Sequence, residues 1–351
     1  MKNPMIPKIL VFLLLSIPVF TFSQTSTQIV ADSADYFLQK GLQEKKDGRR
    51  LVSLQQFEKA YKYNSGDKII LGELASAYYD LRRYKQAMDT YKKLEEAEDA
   101  SAATFKHLMM LSFNFRNFDD VTKYAEKLKQ ADPSEKVSYY VGKAYYQQEN
   151  YGKALKYLNT ASKEEPQNAE IPYMIARSYS DMMNFKQSVP YYQKAIELDT
   201  TKNAWMYELG LMYYNMNDSK NSLKYILMAG EKGYRKDNTY IENLSIAYLN
   251  AGQSDKAIAM LKEILERKPS DINILNMLAE TYYDNKKYQD AIDYWDQILY
   301  YDKENAKALY MIGMCYQKKG EKEKGMQLCD KAIEMDPSLG SLKQKNMMMG
   351  M

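Results

Sequence analysis

Hydrophobic residues along most of this chain recur at three- and four-residue spacing, in short runs separated by polar breaks. The stretch 135–168, EKVSYYVGKAYYQQENYGKALKYLNTASKEEPQN, shows the unit in full. A first run carries Tyr139, Val141, Gly142, Ala144 and Tyr145, and a break follows at Gln148, Glu149 and Asn150. A second run carries Tyr151, Ala154, Leu155, Leu158 and Ala161 and stops at Pro166. This spacing predicts two amphipathic helices joined by a tight turn. The small residues Gly142, Ala154 and Ala161 sit where the two backbones must approach closely.

The unit repeats at a spacing of about 34 residues. The Gly142 column is filled by Gly41, Ala75, Met109, Ala176, Gly210, Ser245, Ala279 and Gly313. The Tyr145 column holds Tyr78, Tyr179, Tyr213, Tyr248, Tyr282 and Tyr316. The Ala154 column holds Ser53, Ala87, Val121, Ser188, Ser222, Ala257, Ala291 and Gly325, and the Ala161 column Ala60, Leu94, Leu128, Ala195, Ala229, Ile264, Ile298 and Ala332. Pro133, Pro166, Pro269 and Pro337 share the closing column. A register of this length resembles the tetratricopeptide repeat family, whose helix–turn–helix unit has this period, small residues at these columns and proline near its end.

The resemblance covers Ala34 to about Leu339 and implies an all-α fold, a right-handed superhelical α-solenoid of about nine repeats. The units read as 34–67, 68–101, 102–134, 135–168, 169–202, 203–237, 238–271, 272–305 and 306–339. Departures are local. Glu44 and Ser112 stand in the tyrosine column of the first and third repeats, the third repeat is one residue short, and the sixth is one longer around 230–233. No linker rich in Gly, Ser or Pro separates the units, so one continuous rod is expected.

Ahead of the repeats, 1–23 reads as an export signal. Lys2 and Lys8 give a basic start, 9–20 an apolar core, and Thr21, Phe22 and Ser23 a cleavage-like end, with the cut expected between Ser23 and Gln24. A retained anchor is the rival reading, disfavoured by the short apolar run and by Pro18 within it. No cysteine lies near the cut for a lipid anchor, and no later stretch of the mature chain is apolar enough for a transmembrane helix. Residues 24–33 read as a polar, mobile leader. The tail 340–351, GSLKQKNMMMGM, is a poor polar cap for the last repeat.

Composition narrows the function classes. A hydrophobic fraction of 45% with 27% charged residues describes a folded soluble protein. Removing Lys2 and Lys8 from a net charge of +3 leaves about +1, which argues against nucleic acid as a partner. His107 is the only histidine, without a placed nucleophile or companion ligands at suitable spacing, so neither a catalytic triad nor a metal site is expected. The acidic pairs Glu95-Glu96, Asp119-Asp120 and Glu164-Glu165 fall at turns and helix ends, where solvated charge is the ordinary reading. No Gly-rich phosphate loop is present. No cofactor and no catalysis are expected. Cys315 and Cys329 lie one on each helix of the last repeat. Export permits a disulfide, while the core column of Cys329 favours buried thiols.

Thirty-three tyrosines are the anomaly. One column accounts for part of them. In the tetratricopeptide family, one face of each first helix lines a concave surface, and helix geometry selects the same face here. It holds Tyr79 from the second repeat, Lys106, Met110 and Phe113 from the third, and Tyr139, Lys143 and Tyr146 from the fourth. The fifth gives Tyr173 and Arg177, the sixth Tyr207, Leu211 and Tyr214, the eighth Glu280 and Tyr283, and the ninth Tyr310 and Met314. The expected partner-binding set is Tyr79, Phe113, Tyr139, Lys143, Tyr146, Tyr173, Arg177, Tyr207 and Tyr214. Tyrosine and arginine dominate binding hot spots, and Lys143 and Arg177 suit a carboxylate held between tyrosine walls.

Some members of the family bind chaperone C-termini through a lysine followed four residues later by asparagine. Here Lys106 is followed by Met110, and Tyr139 stands in the lysine slot before Lys143, so that clamp is missing. The sequence points to a non-catalytic, periplasmic or envelope scaffold for a protein or peptide partner, free or docked on a membrane complex, in support of envelope assembly or secretion. A glycan-binding scaffold, with tyrosine faces stacked on sugar rings, is the alternative.

Overall fold

The computed structural model describes residues 20–99 and 101–341. The expected export segment lies outside the described residues as far as residue 19, and the expected tail lies outside them from residue 342. Among the described residues there are eighteen α-helices, one short 3₁₀ turn and no strand, arranged in nine successive helix pairs. The fold is an all-α helical-repeat solenoid.

The first four pairs are α1 (Phe20–Lys46) with α2 (Arg50–Tyr63), α3 (Lys68–Asp80) with α4 (Tyr84–Glu96), α5 (Ala102–Asn114) with α6 (Phe118–Ala131), and α7 (Ser138–Gln147) with α8 (Tyr151–Glu164). The other five are α9 (Glu170–Asp181) with α10 (Phe185–Leu198), α11 (Asn203–Asn215) with α12 (Ser219–Glu231), α13 (Asn238–Asn250) with α14 (Ser254–Arg267), α15 (Ile272–Asp284) with α16 (Tyr288–Tyr301), and α17 (Ala306–Lys318) with α18 (Lys322–Met335). Contacts cluster into two compact units, Met1–Glu164 and Glu165–Met351, where the sequence suggests one uninterrupted array. Each is described by itself below.

The segment 24–33, read as a polar leader, is helical: α1 begins at Phe20 and runs through it. The stretch contains no glycine or proline, so nothing local halts a helix there, and polar composition alone does not.

One device closes the first helix of every pair. The residue in the Glu149 column adopts a left-handed backbone in all nine turns, as Gly48, Arg82, Arg116, Glu149, Met183, Asn217, Gly252, Lys286 and Gly320. That geometry lets the following amide turn back to the Tyr145-column carbonyl: Asn150 N donates to Tyr145 O at 2.9 Å, and Lys287 N to Tyr282 O at 2.9 Å. Carbonyls that helix ends leave unmatched are thereby satisfied by backbone alone. Starts are handled differently. Asp67 accepts from the amides of Ile69 and Ile70 at 2.8 and 3.0 Å, and Asp237, Asp271, Ser101 and Asn305 cap α13, α15, α5 and α17 in the same manner.

Within a pair, small residues set the separation. A Cβ on Gly142 would come within 2.8 Å of Leu158 Cγ and 3.1 Å of the Leu158 amide nitrogen, so the crossing of α7 and α8 admits no side chain there. Two serines of the Ala154 column add a polar stitch. Ser53 Oγ donates to Gly41 O at 2.9 Å and Ser188 Oγ to Ala176 O at 2.8 Å.

The core of the first unit runs between helix pairs. Ile70 of α3 packs with Leu54, Phe57 and Ala60 of α2, and a larger cluster joins Leu71, Tyr91, Leu108, Leu111, Tyr124 and Val141. In the second unit, one cluster links Ile226, Leu244, Leu261, Leu278 and Trp295, and another surrounds Tyr192, Trp205 and Leu209. The last pair is closed by Leu339, buried beside Tyr310, Cys329 and Ala332. Cys315 and Cys329 are both buried thiols outside any disulfide, and Cys329 Sγ donates to Tyr310 O at 3.5 Å.

Candidate functional site

Much of the tyrosine excess belongs to the repeat itself. The Tyr145-column ring lies flat on a tyrosine of the second helix in Tyr145–Tyr157, Tyr179–Tyr191, Tyr213–Tyr225 and Tyr282–Tyr294, with centroids 5.6, 5.7, 5.5 and 5.5 Å apart. These rings are packing elements between paired helices, each gaining area and offset stacking.

The first-helix face of the first unit is different. Lys143 of α7 places Nζ 5.5 Å from the Phe113 ring centre and 5.3 Å from that of Tyr139, and donates to Tyr139 Oη at 3.2 Å. Phe113 comes from the preceding pair, so two adjacent repeats build this cation–aromatic cluster. Tyr140 completes it, edge-on to Tyr139 at 5.5 Å and to Phe113 at 6.2 Å. Tyr146 packs against Tyr151 at 5.8 Å. Lys106, expected on this face, is joined to Glu135 at 2.9 Å.

Tyr79 packs edge-on to Tyr84 at 5.6 Å. It meets His107 edge-on at 4.8 Å, and His107 lies flat on Tyr91 at 4.8 Å with Nδ1 2.8 Å from Ala103 O. Burial raises the Tyr79 and Tyr91 phenols above their ordinary range. The histidine is thus an aromatic packing residue.

In the second unit the sequence reading missed a carboxylate. Glu208 of α11 accepts from Tyr173 Oη at 3.1 Å and from Tyr192 Oη at 2.7 Å, and stands 3.8 Å from Arg177 Nη1. Arg177 also donates to Tyr173 Oη at 3.1 Å. Tyr173 lies flat on Trp205 at 4.6 Å, with Lys202 Nζ 5.4 Å from the Trp205 ring centre. Burial first, and the Glu208 charge second, push the Tyr173 and Tyr192 phenols up. The carboxylate that the sequence offers to Arg177 from a ligand is supplied internally by the next repeat. The period does not signal it, since the column of Tyr173 falls on Tyr207 in the next repeat and Glu208 stands one position beyond.

Two other expected groove rings are covered. Tyr207 is only 7% exposed. It stacks on Tyr234 at 4.4 Å, and its hydroxyl accepts from Asn243 Nδ2 at 2.6 Å. The extra residue of the sixth repeat explains this correction: Gly233 takes φ +88° and Tyr234 follows it over the ring. Tyr310 is 2% exposed in the last core cluster. Tyr214, by contrast, is 43% exposed. Tyr283 packs edge-on to Tyr288 and Trp295 at 5.6 and 6.0 Å, and Glu280 is paired with Lys307 at 3.4 Å.

Among the described residues, no group of three or more His, Cys, Asp or Glu side chains is placed to hold a metal ion, and no helix is long and apolar enough to cross a membrane.

The tetratricopeptide repeat family matches residues 38–103 and 306–339, and the family of the anaphase-promoting complex, cyclosome, subunit 3 matches residues 114–195 and 220–298. No curated protein matches the chain. Solved structures similar to it include YrrB, described as a TPR protein with an unusual peptide-binding site. It is 21% identical, with a TM-score of 0.44 over 54% of this chain and 97% of that one. Another is the C-terminal part of a TPR repeat-containing protein from Cytophaga hutchinsonii, 16% identical, with a TM-score of 0.47 over 78% of this chain and 99% of that one. A third is pilF of Pseudomonas aeruginosa, 15% identical, with a TM-score of 0.38 over 72% and 99%. With its nine helix pairs, its column register and these family matches, the chain belongs to the tetratricopeptide repeat family of protein-interaction scaffolds.

Proposed function

We propose that this chain is exported through residues 1–23 and acts in the bacterial envelope as a non-catalytic scaffold. It holds an extended peptide or a helix of a partner protein on the first-helix faces of its repeats. The observation that carries this reading is the cluster of Lys143 with Phe113 and Tyr139, a cation set between rings of two adjacent repeats. Such a surface suits an acidic or C-terminal carboxylate flanked by apolar side chains. In the second unit, Tyr214 offers an exposed ring, while Tyr173 and Arg177 serve mainly to orient each other through Glu208.

The test is crosslinking of the tagged native chain in intact cells, read by mass spectrometry, with F113A/K143E alongside. One or two envelope proteins crosslinked near Lys143, and lost in the variant, support the scaffold reading. The same partners retained by the variant would move the site elsewhere. Carbohydrate co-purifying in place of any protein would overturn the reading. Export is read from the N-terminus of the recovered protein, expected at Gln24.

A further inference from the structure

The first repeat departs from a burial rule that the rest of its unit obeys. Ile70, Thr104 and Val137 occupy one column at the start of the first helices in the second, third and fourth repeats, and all three are buried. The column is covered by the helix before it, as Ile70 is by Leu54 and Phe57 of α2. In α1 the same column holds Tyr36, and that residue is 60% exposed. Two depressions flank the ring. Both are shallow and open to solvent: one is lined by Asp32, Asp35, Gln39, Lys40 and Tyr36 itself, and the other is backed by Phe37 and Tyr63, which stack at 5.6 Å. An aromatic knob thus stands out from an open helix face whose counterparts elsewhere in the unit each receive another helix.

The charges select which helix fits. Asp32 lies four residues before Tyr36 and Lys40 four after it, with Ser33 and Gln39 three residues to either side. Residues at these intervals share one face of α1. A second α1 crossing antiparallel at Tyr36 sets Asp32 against Lys40 twice and Ser33 against Gln39 twice. A parallel copy would set like charge against like. A self-matching face of this kind is the requirement for a two-fold interface.

We propose that a second copy of this chain docks here, α1 against α1 in antiparallel fashion, with the two exposed Tyr36 rings packed between the helices. The dimer surface is separate from the partner-binding cluster of α5 and α7, and it joins two scaffolds through their first repeats.

Sedimentation of the full chain across a concentration series tests this, with D32K and K40D as exposed-site variants that leave the core untouched. The wild type should reach a dimer, and each variant alone should bind itself about tenfold more weakly, since two attractive contacts become repulsive. Mixing D32K with K40D should then restore a one-to-one heterodimer, because both crossed pairs regain opposite charge. Y36A should weaken every combination. A wild type that stays monomeric throughout, a dimer indifferent to the charge reversals, or a mixture that fails to recover association would each overturn the proposal.

Discussion

At the residue scale, Glu208 shows how a buried hydroxyl fixes the consequence of losing its acceptor. Tyr192 is 1% exposed and its hydroxyl meets Glu208 Oε2 at 2.7 Å. Replacing the acid strands that hydroxyl, so E208A should cost about 1–3 kcal/mol in urea unfolding. Y192F should cost about 1 kcal/mol, and in the double variant the two losses should not add. Additive losses would mean that the hydrogen bond contributes nothing. Glu95 supplies a pH-dependent counterpart. Burial acts to raise its carboxyl, but hydrogen bonds from Lys127 and Tyr124 outweigh that and hold it below the usual range. A depressed carboxyl adds stability above its unfolded value, lost as pH falls through the folded one. The stability advantage of wild type over E95Q should therefore be largest near neutrality and shrink below about pH 4.3. A difference constant across that range would remove the pairing from the account.

At the element scale, the column register was legible in the sequence because glycine and alanine at Gly142, Ala154 and Ala161 answer to a local need, the close crossing of two helices. The covered state of Tyr207 was not legible, since it depends on where one inserted residue throws Tyr234. Glu208 was missed for a related reason: its partners lie in the preceding repeat, and periodicity names columns without stating which side chains bridge them. The nearness of Lys143 to Tyr139 was legible, because four-residue spacing sets both on one face of α7, whereas Phe113 reaches them from α5 of the preceding repeat. The turns give a further expectation. Lys286 holds φ +60°, a conformation that costs a side chain about 1–2 kcal/mol and glycine little. After the larger unfolded-state freedom of glycine is subtracted, K286G should stabilise the protein by about 0.5–1 kcal/mol, seen as a raised Tm. A lowered Tm would show that the side chain, and not the backbone, holds the turn.

At the scale of the whole molecule, stability in repeat arrays is a sum of neighbour terms and is not shared by one core. Both tryptophans, Trp205 and Trp295, lie in the second unit, so their fluorescence reads that unit while circular dichroism reads helices throughout. L71A removes a fully buried side chain from the second repeat at a cost of about 2–5 kcal/mol. The dichroism transition should broaden and begin earlier, with the tryptophan midpoint almost unmoved. A matching shift in both signals would mean that the chain unfolds as one cooperative block.

The left-handed turn residue has a practical consequence as well. Because backbone alone closes each turn, closure makes no demand on the side chain there, and arginine, glutamate, methionine, asparagine, lysine and glycine all occur in that column. Apart from Arg116, which reaches Gln147 and Phe118, an experimenter can write there without disturbing the text on either side. The turns form a set of addressable marks, one per repeat, to which dyes or spin labels can be attached so that strain along each unit is followed as a partner loads.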